Sequence, residues 1–320
     1  MARVLVAGAI DPAGVERLRA APGVTVDYIE DTAPDAFHGR LAGAEGLLIR
    51  TQPVTADVIA AAPALRVVAR HGVGYDSVDG AALAARGIPL TIVGDVNSAS
   101  VAEQAMMLLL AAAKRAIAAD AAVHAADWGW RDRREAQELA GRTLLLLGYG
   151  RIGRRMAKLA DAFGMRVLAH DPHLPAPWPE GPARPAPDLG AALAEADAVS
   201  LHLPGSARPV LGAGEIAAMK PGAILVNTSR GGAVDEAALA HALDEGHLAA
   251  AGLDVFAEEP PGPDNPLLGL GNVILSPHIA GLTAEAARRM AEDAAQNILD
   301  FFAGRLDPAR IVNGVPAHGG

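Results

Sequence analysis

The chain has 320 residues, just over half of them apolar and 3% aromatic, with a formal net charge of −10 and no cysteine. Such a length predicts two domains, each burying a core of its own. Without cysteine there is no disulfide framework, thiolate metal site or thiol nucleophile, and the negative charge argues against a nucleic-acid partner, whose phosphates need a basic face. The apolar runs are too short or too interrupted to span a bilayer and no basic-apolar-cleavage pattern opens the chain, so a cytoplasmic protein is expected. No metal site is expected either.

Over the first hundred residues short apolar runs at 3–7, 24–29, 47–49, 67–69 and 90–93 alternate with Ala-rich helical stretches. Parallel neighbours need a crossover, so this alternation predicts a parallel, doubly wound sheet. Arg50 follows the third run directly, at the carboxyl edge where such sheets place ligands. The fourth run leads into Arg70-His71-Gly72-Val73-Gly74-Tyr75-Asp76, whose glycines can expose successive N–H groups as an anion nest. One long helix is predicted over 98–126, with Ser98 or Ser100 as N-cap. Its apolar surface is wider than a one-sided helix needs, which predicts burial on more than one side and suits a subunit interface. Trp128 and Trp130 follow; packing is the expected fate of both.

Residues 143–147 form an unbroken apolar run, and Gly148-Tyr149-Gly150-Arg151-Ile152-Gly153 follows at once. A helical pattern comes next, then a second apolar run at 165–169 ending in His170-Asp171, so the stretch reads as one β-α-β unit. In such a unit Gly148 turns the chain off the strand, Gly150 lets the backbone approach a pyrophosphate at the helix N-terminus, and Gly153 lets the helix pack closely. Asp171 stands where an acid accepts both ribose hydroxyls. No Lys or Arg lies between it and Glu180 to receive a 2′-phosphate, so NAD is expected over NADP.

The Pro-rich stretch after Asp171 is predicted to be an irregular surface excursion. Strand runs resume at 198–203, 224–227, 249–255 and 273–275, with helices over 212–219 and 235–245, forming a second doubly wound domain; the last helix covers 283–302. A tail, RLDPARIVNGV, carries an apolar pair expected to pack back on the first domain. Arg230, Glu259 and His278 stand out at the strand ends. Arginine can hold a carboxylate in its planar fork, histidine can exchange a proton near neutrality, and a carboxylate can orient the imidazole. That set suits hydride transfer to a keto acid, although spacing alone does not prove that the three converge.

Six motifs in order, RHGVGYDSVD, NSASVAE, GYGRIG with Asp171, NTSRGGAVDEAAL, AGLDVFAEEP and SPHIAG, resemble the D-isomer-specific 2-hydroxyacid dehydrogenase family over residues 4–313. The resemblance implies an NAD-dependent oxidoreductase with Arg230, Glu259 and His278 as catalytic residues. It places Gly148, Gly150, Arg151, Ile152, Gly153, Asp171, His202, Ser206, Thr228, Asp254 and Gly281 along the cofactor, with Asp254 on the nicotinamide side. Val73 and Gly74 would offer N–H groups to the substrate carboxylate, assisted by Arg50 and held by Arg230. It further implies α/β architecture with two doubly wound parallel-sheet domains: a Rossmann cofactor domain, 99–283, inserted into a flavodoxin-like substrate domain formed by 1–98 and 284–320. Similar proteins are homodimers joined through the cofactor domain, and a cleft closing between the domains would exclude water.

The expected substrate is a small 2-keto or 2-hydroxy acid, such as glyoxylate, hydroxypyruvate or an aliphatic 2-keto acid. The alternatives are D-3-phosphoglycerate oxidation, which would depend on Arg50, and an NAD-sensing corepressor-like binding protein, against which the complete catalytic set stands. Nothing favours formate or phosphite as substrate. Gly94-Asp95-Val96-Asn97 replaces the Pro-Gly that many members carry, and Asp95 weighs against a highly charged substrate. Ser206 stands where many have Thr, which keeps the hydroxyl. The resemblance stops near Asn313, so a protein without the regulatory extension of the longer phosphoglycerate dehydrogenases is expected. Trp128 resembles a tryptophan that approaches the partner's site in glyoxylate and hydroxypyruvate reductases.

Overall fold

The computed structural model describes residues 1–174, 177–205 and 207–317. Its contacts divide the chain into two compact units, one of residues 1–97 with 282–320 and one of residues 98–281.

The first unit opens with β1 (Ala2–Ala7), α1 (Pro12–Arg19), β2 (Val24–Ile29), β3 (Gly46–Ile49), α2 (Ala56–Ala60), β4 (Val67–Arg70), α3 (Gly80–Ala85) and β5 (Leu90–Thr91). All strands are parallel and lie in the order β2-β1-β3-β4-β5, the flavodoxin-like order. Period-two alternation explains why the inner strand β1 is apolar on both faces: Val4 and Val6 face one helical layer, Leu5 and Ala7 the other. The tail does return to this unit. Ile311 bridges Thr91, and the Asn313 amide accepts from Leu90 N–H and donates to the Ile88 carbonyl.

The second unit runs through α4 (Ser98–Ala113), α5 (Ala116–His124), β6 (Thr143–Leu147), α6 (Arg151–Ala162), β7 (Arg166–His170), β8 (Arg184–Pro185), α7 (Leu189–Glu195), β9 (Ala198–Leu201), α8 (Ala213–Ala218), β10 (Ala223–Asn227), α9 (Glu236–Asp244), β11 (Leu248–Leu253) and β12 (Val273–Leu275). The chain then re-enters the first unit as α10 (Ala284–Phe302), capped by Thr283 Oγ1 on Ala286 N–H. Seven parallel strands lie in the order β12-β11-β10-β9-β6-β7-β8, the Rossmann order with one strand added. Leu144 and Leu146 of β6 pack on the α4/α6 side, and Leu145 and Leu147 on the α7/α8/α9 side. Each such leucine is wholly buried or nearly so and contributes about 2 kcal/mol of transfer free energy. The order reverses between β6 and β9, so the crevice beyond their carboxyl ends is where this sheet places a ligand.

Three expectations need correction. The single helix expected over 98–126 is two, because Arg115 adopts φ 54° and the returning segment donates Gln137 N–H to the freed Ala113 carbonyl at 2.7 Å. The excursion after Asp171 is not wholly irregular: Arg184–Pro185 forms β8 on β7, at a sheet edge where proline is tolerated. Trp178 from this excursion stacks on Tyr149, ring centroids 5.2 Å apart. Packing of Trp128 also fails, since within one chain it is 69% exposed, with Ile117 and Val123 exposed before it.

Candidate active site

The Gly-rich turn is shaped by contacts that leave no room for side chains. Gly148 has φ +92°, and a Cβ on it would lie 2.4 Å from the His202 carbonyl oxygen. A Cβ on Gly153 would lie 2.2 Å from the Gly148 carbonyl oxygen, so α6 starts pressed against the end of β6. Gly150 differs: it caps α6 without a side-chain hydrogen bond, and a Cβ there would meet nothing within 4 Å. Open space at a helix N-terminus beside a switch point fits a phosphate. Arg151 and Ile152 open α6 at this point. Asp171, at the end of β7, accepts Tyr149 N–H at 2.9 Å on one oxygen and His173 N–H at 3.1 Å on the other, which fixes its plane.

Two further residues on strand ends carry unanswered polar atoms. His202, after β9, holds Nε2 3.1 Å from Ser200 Oγ, while its Nδ1 is buried with no hydrogen-bond partner among the described residues. Thr228 Oγ1, after β10, is in the same condition. Burial pushes the His202 pKa down to about 4, so the ring is neutral at pH 7. Buried polar atoms without partners cost about 1–3 kcal/mol each, and a ligand with polar groups in this crevice would relieve them. The open Gly150 cap, the oriented Asp171 and these two orphan atoms together fit a dinucleotide. Ser206 lies outside the described residues.

Beyond β10 the chain makes an Asx turn. The buried Asn227 Oδ1 accepts Ser229 N–H at 3.0 Å and Ser229 Oγ at 2.8 Å, and its Nδ2 donates to the Arg230 carbonyl at 2.8 Å. Arg230, half-buried, donates to the Ser229 carbonyl at 2.7 Å. Next in line, Gly231 is pressed onto the backbone of Phe256, 1.8 Å from where its Cβ would be, which brings the Arg230 turn against the loop that carries Glu259. Glu236 supports that loop by accepting Ala257 N–H at 2.6 Å and Asn265 Nδ2–H at 2.8 Å.

His278 Nδ1 lies 2.6 Å from Glu259 Oε2, and Glu259 Oε1 accepts Phe256 N–H at 3.1 Å. Burial raises the Glu259 pKa, but the bonds from His278 and Phe256 and the charges of His278 and Arg230 outweigh it and hold the carboxyl below its ordinary range. His278 sits at φ 53°, a left-handed conformation that a non-glycine residue keeps only when its surroundings dictate it. Asp254 dictates much of it: wholly buried, it accepts Ser276 Oγ–H, Ile279 N–H and Ala280 N–H on its carboxylate and His278 N–H on its carbonyl. Gly281 closes this turn. Arg230, Glu259 and His278 thus come together at the strand ends of one unit.

In the other unit Arg50 follows β3 directly and is half-buried, its Nη1 donating to the Ala9 carbonyl at 3.2 Å, so it is a held side chain and not a free surface cation. Val73 and Gly74 follow β4 on a loop that begins at the buried His71 and turns at Gly72, φ +146°. The sequence reading missed Asn227 and Glu236. An Asn at a strand end with Ser two residues on is a recognisable Asx-turn signal, whereas nothing local ties Glu236 to Ala257 and Asn265, 21 and 29 positions away.

Comparison with known proteins finds relatives over most of the chain. The profile of the D-isomer specific 2-hydroxyacid dehydrogenase NAD binding domain matches residues 106–280. D-3-phosphoglycerate dehydrogenase of Mycobacterium tuberculosis is 40% identical over 317 residues, 96% of this chain and 58% of that protein, so this chain spans little over half its length. Glyoxylate reductase of Korarchaeum cryptofilum is 42% identical over 268 residues, 82% of this chain and 80% of that one. Among solved structures, an NADPH-dependent glyoxylate/hydroxypyruvate reductase from Sinorhizobium meliloti, in complex with citrate, superposes with a TM-score of 0.86 at 32% identity over 99% of each chain. With its two parallel sheets, its glycine turn and its His–Glu pair beside an arginine, the chain belongs to the D-isomer-specific 2-hydroxyacid dehydrogenase family.

Proposed function

We propose that the protein is an NAD-dependent D-2-hydroxyacid dehydrogenase, working as a 2-ketoacid reductase on a small acid such as glyoxylate or hydroxypyruvate. The observation that carries this is the 2.6 Å His278–Glu259 pair beside Arg230 at the strand ends of a dinucleotide-type sheet. Gly148, Gly150, Arg151, Ile152 and Gly153 would hold the pyrophosphate, Asp171 the adenosine ribose, and His202 and Thr228 other polar groups of the cofactor. When bound, the nicotinamide supplies the hydride in reduction and accepts it in oxidation. Arg230 grips the substrate carboxylate and polarises the neighbouring carbonyl. Glu259 accepts a hydrogen bond from Nδ1–H of His278 and stabilises its imidazolium, whose Nε2–H is given to the forming alkoxide; the neutral imidazole left behind keeps its Nδ1 proton and takes a new Nε2 proton from solvent. Val73, Gly74 and Arg50 contribute to holding the substrate carboxylate. The exposed apolar stretch of α4 and α5 is assigned to a homodimer contact, and the compartment to the cytoplasm.

A second reading, 3-phosphoglycerate oxidation, draws support from Arg50 and Arg70, both close enough to lower the His71 pKa by their charge and thus a cationic pair in the unit that carries the Val73-Gly74 loop. The deciding experiment is NADH oxidation against glyoxylate, hydroxypyruvate, pyruvate, longer 2-keto acids and phosphohydroxypyruvate, with NADPH alongside. Turnover of an unphosphorylated acid, falling about a hundredfold or more in His278→Gln, is expected. Turnover of phosphohydroxypyruvate alone would install the second reading. NADH binding without any turnover would make the protein a sensor.

A further inference from the structure

α4 carries a polar stripe on its otherwise apolar inner face. Ser100, Gln104 and Leu108 stand four residues apart and therefore share one side of the helix. At Leu108 the helix is seated hard on β11: a Cβ added to Gly252 would lie 2.7 Å from the Leu108 Cβ, so helix and strand approach as closely as a glycine allows. One turn toward the N-terminus, Gln104 Nε2 donates to Ser276 Oγ at 3.2 Å. Ser276 Oγ in turn donates to Asp254 Oδ1 at 2.5 Å. A further turn on, the buried Ser100 Oγ donates to the Ala280 carbonyl at 2.6 Å. All these groups belong to one unit.

Both ends of the 276–280 turn, Ser276 and Ala280, are therefore bonded twice, once to Asp254 after β11 and once to α4. Between them sits His278, the turn's one left-handed residue, with its ring on Glu259. A left-handed conformation is unfavourable for a non-glycine residue and persists only where its surroundings hold it. Truncating Gln104 leaves the Ser276 hydroxyl short of a donor. Truncating Ser276 leaves a buried carboxylate oxygen short of one and frees Gln104 as well.

We infer that Gln104, Ser276 and Ser100 are positioning residues for the reaction: a relay from α4 through Ser276 to Asp254 holds the His278 turn so that the imidazole stays on Glu259. The inference rests on the acid/base reading of His278. It is tested with Ser276→Ala, Ser276→Thr and the near-isosteric Gln104→Met, measuring kcat and KM for the accepted keto acid, the NADH dissociation constant by fluorescence titration, and the pH profile of kcat. Ser276→Ala and Gln104→Met should lower kcat about tenfold or more, with KM and NADH affinity within about threefold of wild type and a displaced pH limb, and Ser276→Thr should restore most of the rate. Unchanged kcat in both truncations, while His278→Gln is inactive, overturns the relay alone. A loss of NADH affinity matching the loss of kcat also overturns it, since the stripe would then serve the cofactor. Wild-type turnover in His278→Gln overturns the underlying reading.

Discussion

His71 is 3% exposed, with Nε2 facing the Ala287 carbonyl of α10 at 3.3 Å and Nδ1 buried without a partner among the described residues. Burial, helped by the charges of Arg70 and Arg50, pushes its pKa down to about 4 from an ordinary 6.5. The native state thus refuses a proton that the unfolded chain takes below pH 6.5. Stability is full above that pH and is lost as pH falls toward 4, by about 3 kcal/mol in all. His202 adds a loss of the same sign. Asp27, Asp197 and Glu259 have depressed values, so their contributions hold above their ordinary values near 4 and are lost only at lower pH. Urea unfolding at pH 7 and pH 5 should therefore show His71→Gln losing less stability on acidification than wild type; identical losses would refute the assignment. Asp171 makes a second residue-level case. Its two oxygens are already oriented by Tyr149 and His173, and a ribose would find them in place. Asp171→Ser should reduce the preference for NADH over NADPH, read as the ratio of kcat/KM values, by about tenfold or more, and an unmoved ratio would leave cofactor choice to other residues.

At the scale of elements, the glycine turn separates packing from ligand approach. Gly153→Ala drives a methyl into the Gly148 carbonyl, and α6 must shift off β6 at a cost of about 1–3 kcal/mol. Gly150, at φ −75° and with open space around it, accepts alanine without strain. Gly150→Ala is therefore expected to change stability by less than about 0.5 kcal/mol and yet weaken NADH binding about tenfold or more, because the methyl occupies the space a phosphate needs. Thermal unfolding and NADH titration of both variants check this; undiminished NADH affinity in Gly150→Ala would remove the phosphate from that cap.

For the whole molecule the telling feature is apolar surface. Met107, Ile117, Val123 and Trp128 are 44%, 63%, 61% and 69% exposed along one stretch of the second unit. Single exposed apolar residues are ordinary, but several large ones on consecutive elements are what the proposed homodimer contact would cover. Paired Ile117→Glu and Val123→Glu substitutions should convert a dimer to a folded monomer, seen by sedimentation velocity with an unchanged far-ultraviolet circular dichroism spectrum. A wild-type protein that sediments as a monomer would end the dimer reading.

The inner strands of both sheets were legible in the residues because they are buried on both faces: unbroken apolar runs such as 143–147 need no partner to be recognised, and a glycine turn followed by an acid declares its geometry locally, whereas the exposed edge strand β8 was not legible. Arg230, Glu259 and His278 were likewise nameable from the order of motifs. Their meeting was not, since it depends on Gly231 pressing against Phe256 and on Glu236 bracing a loop remote in sequence. Only the folded chain decided that Asp254 binds the His278 turn, that Ser100 and Gln104 reach it from α4, and that α4 breaks at Arg115. Composition and periodicity report which face of an element is buried, a property of neighbours along the chain. Which polar atom meets which is settled by the register of packed elements, and that register exists only once the sheet and α4 are assembled.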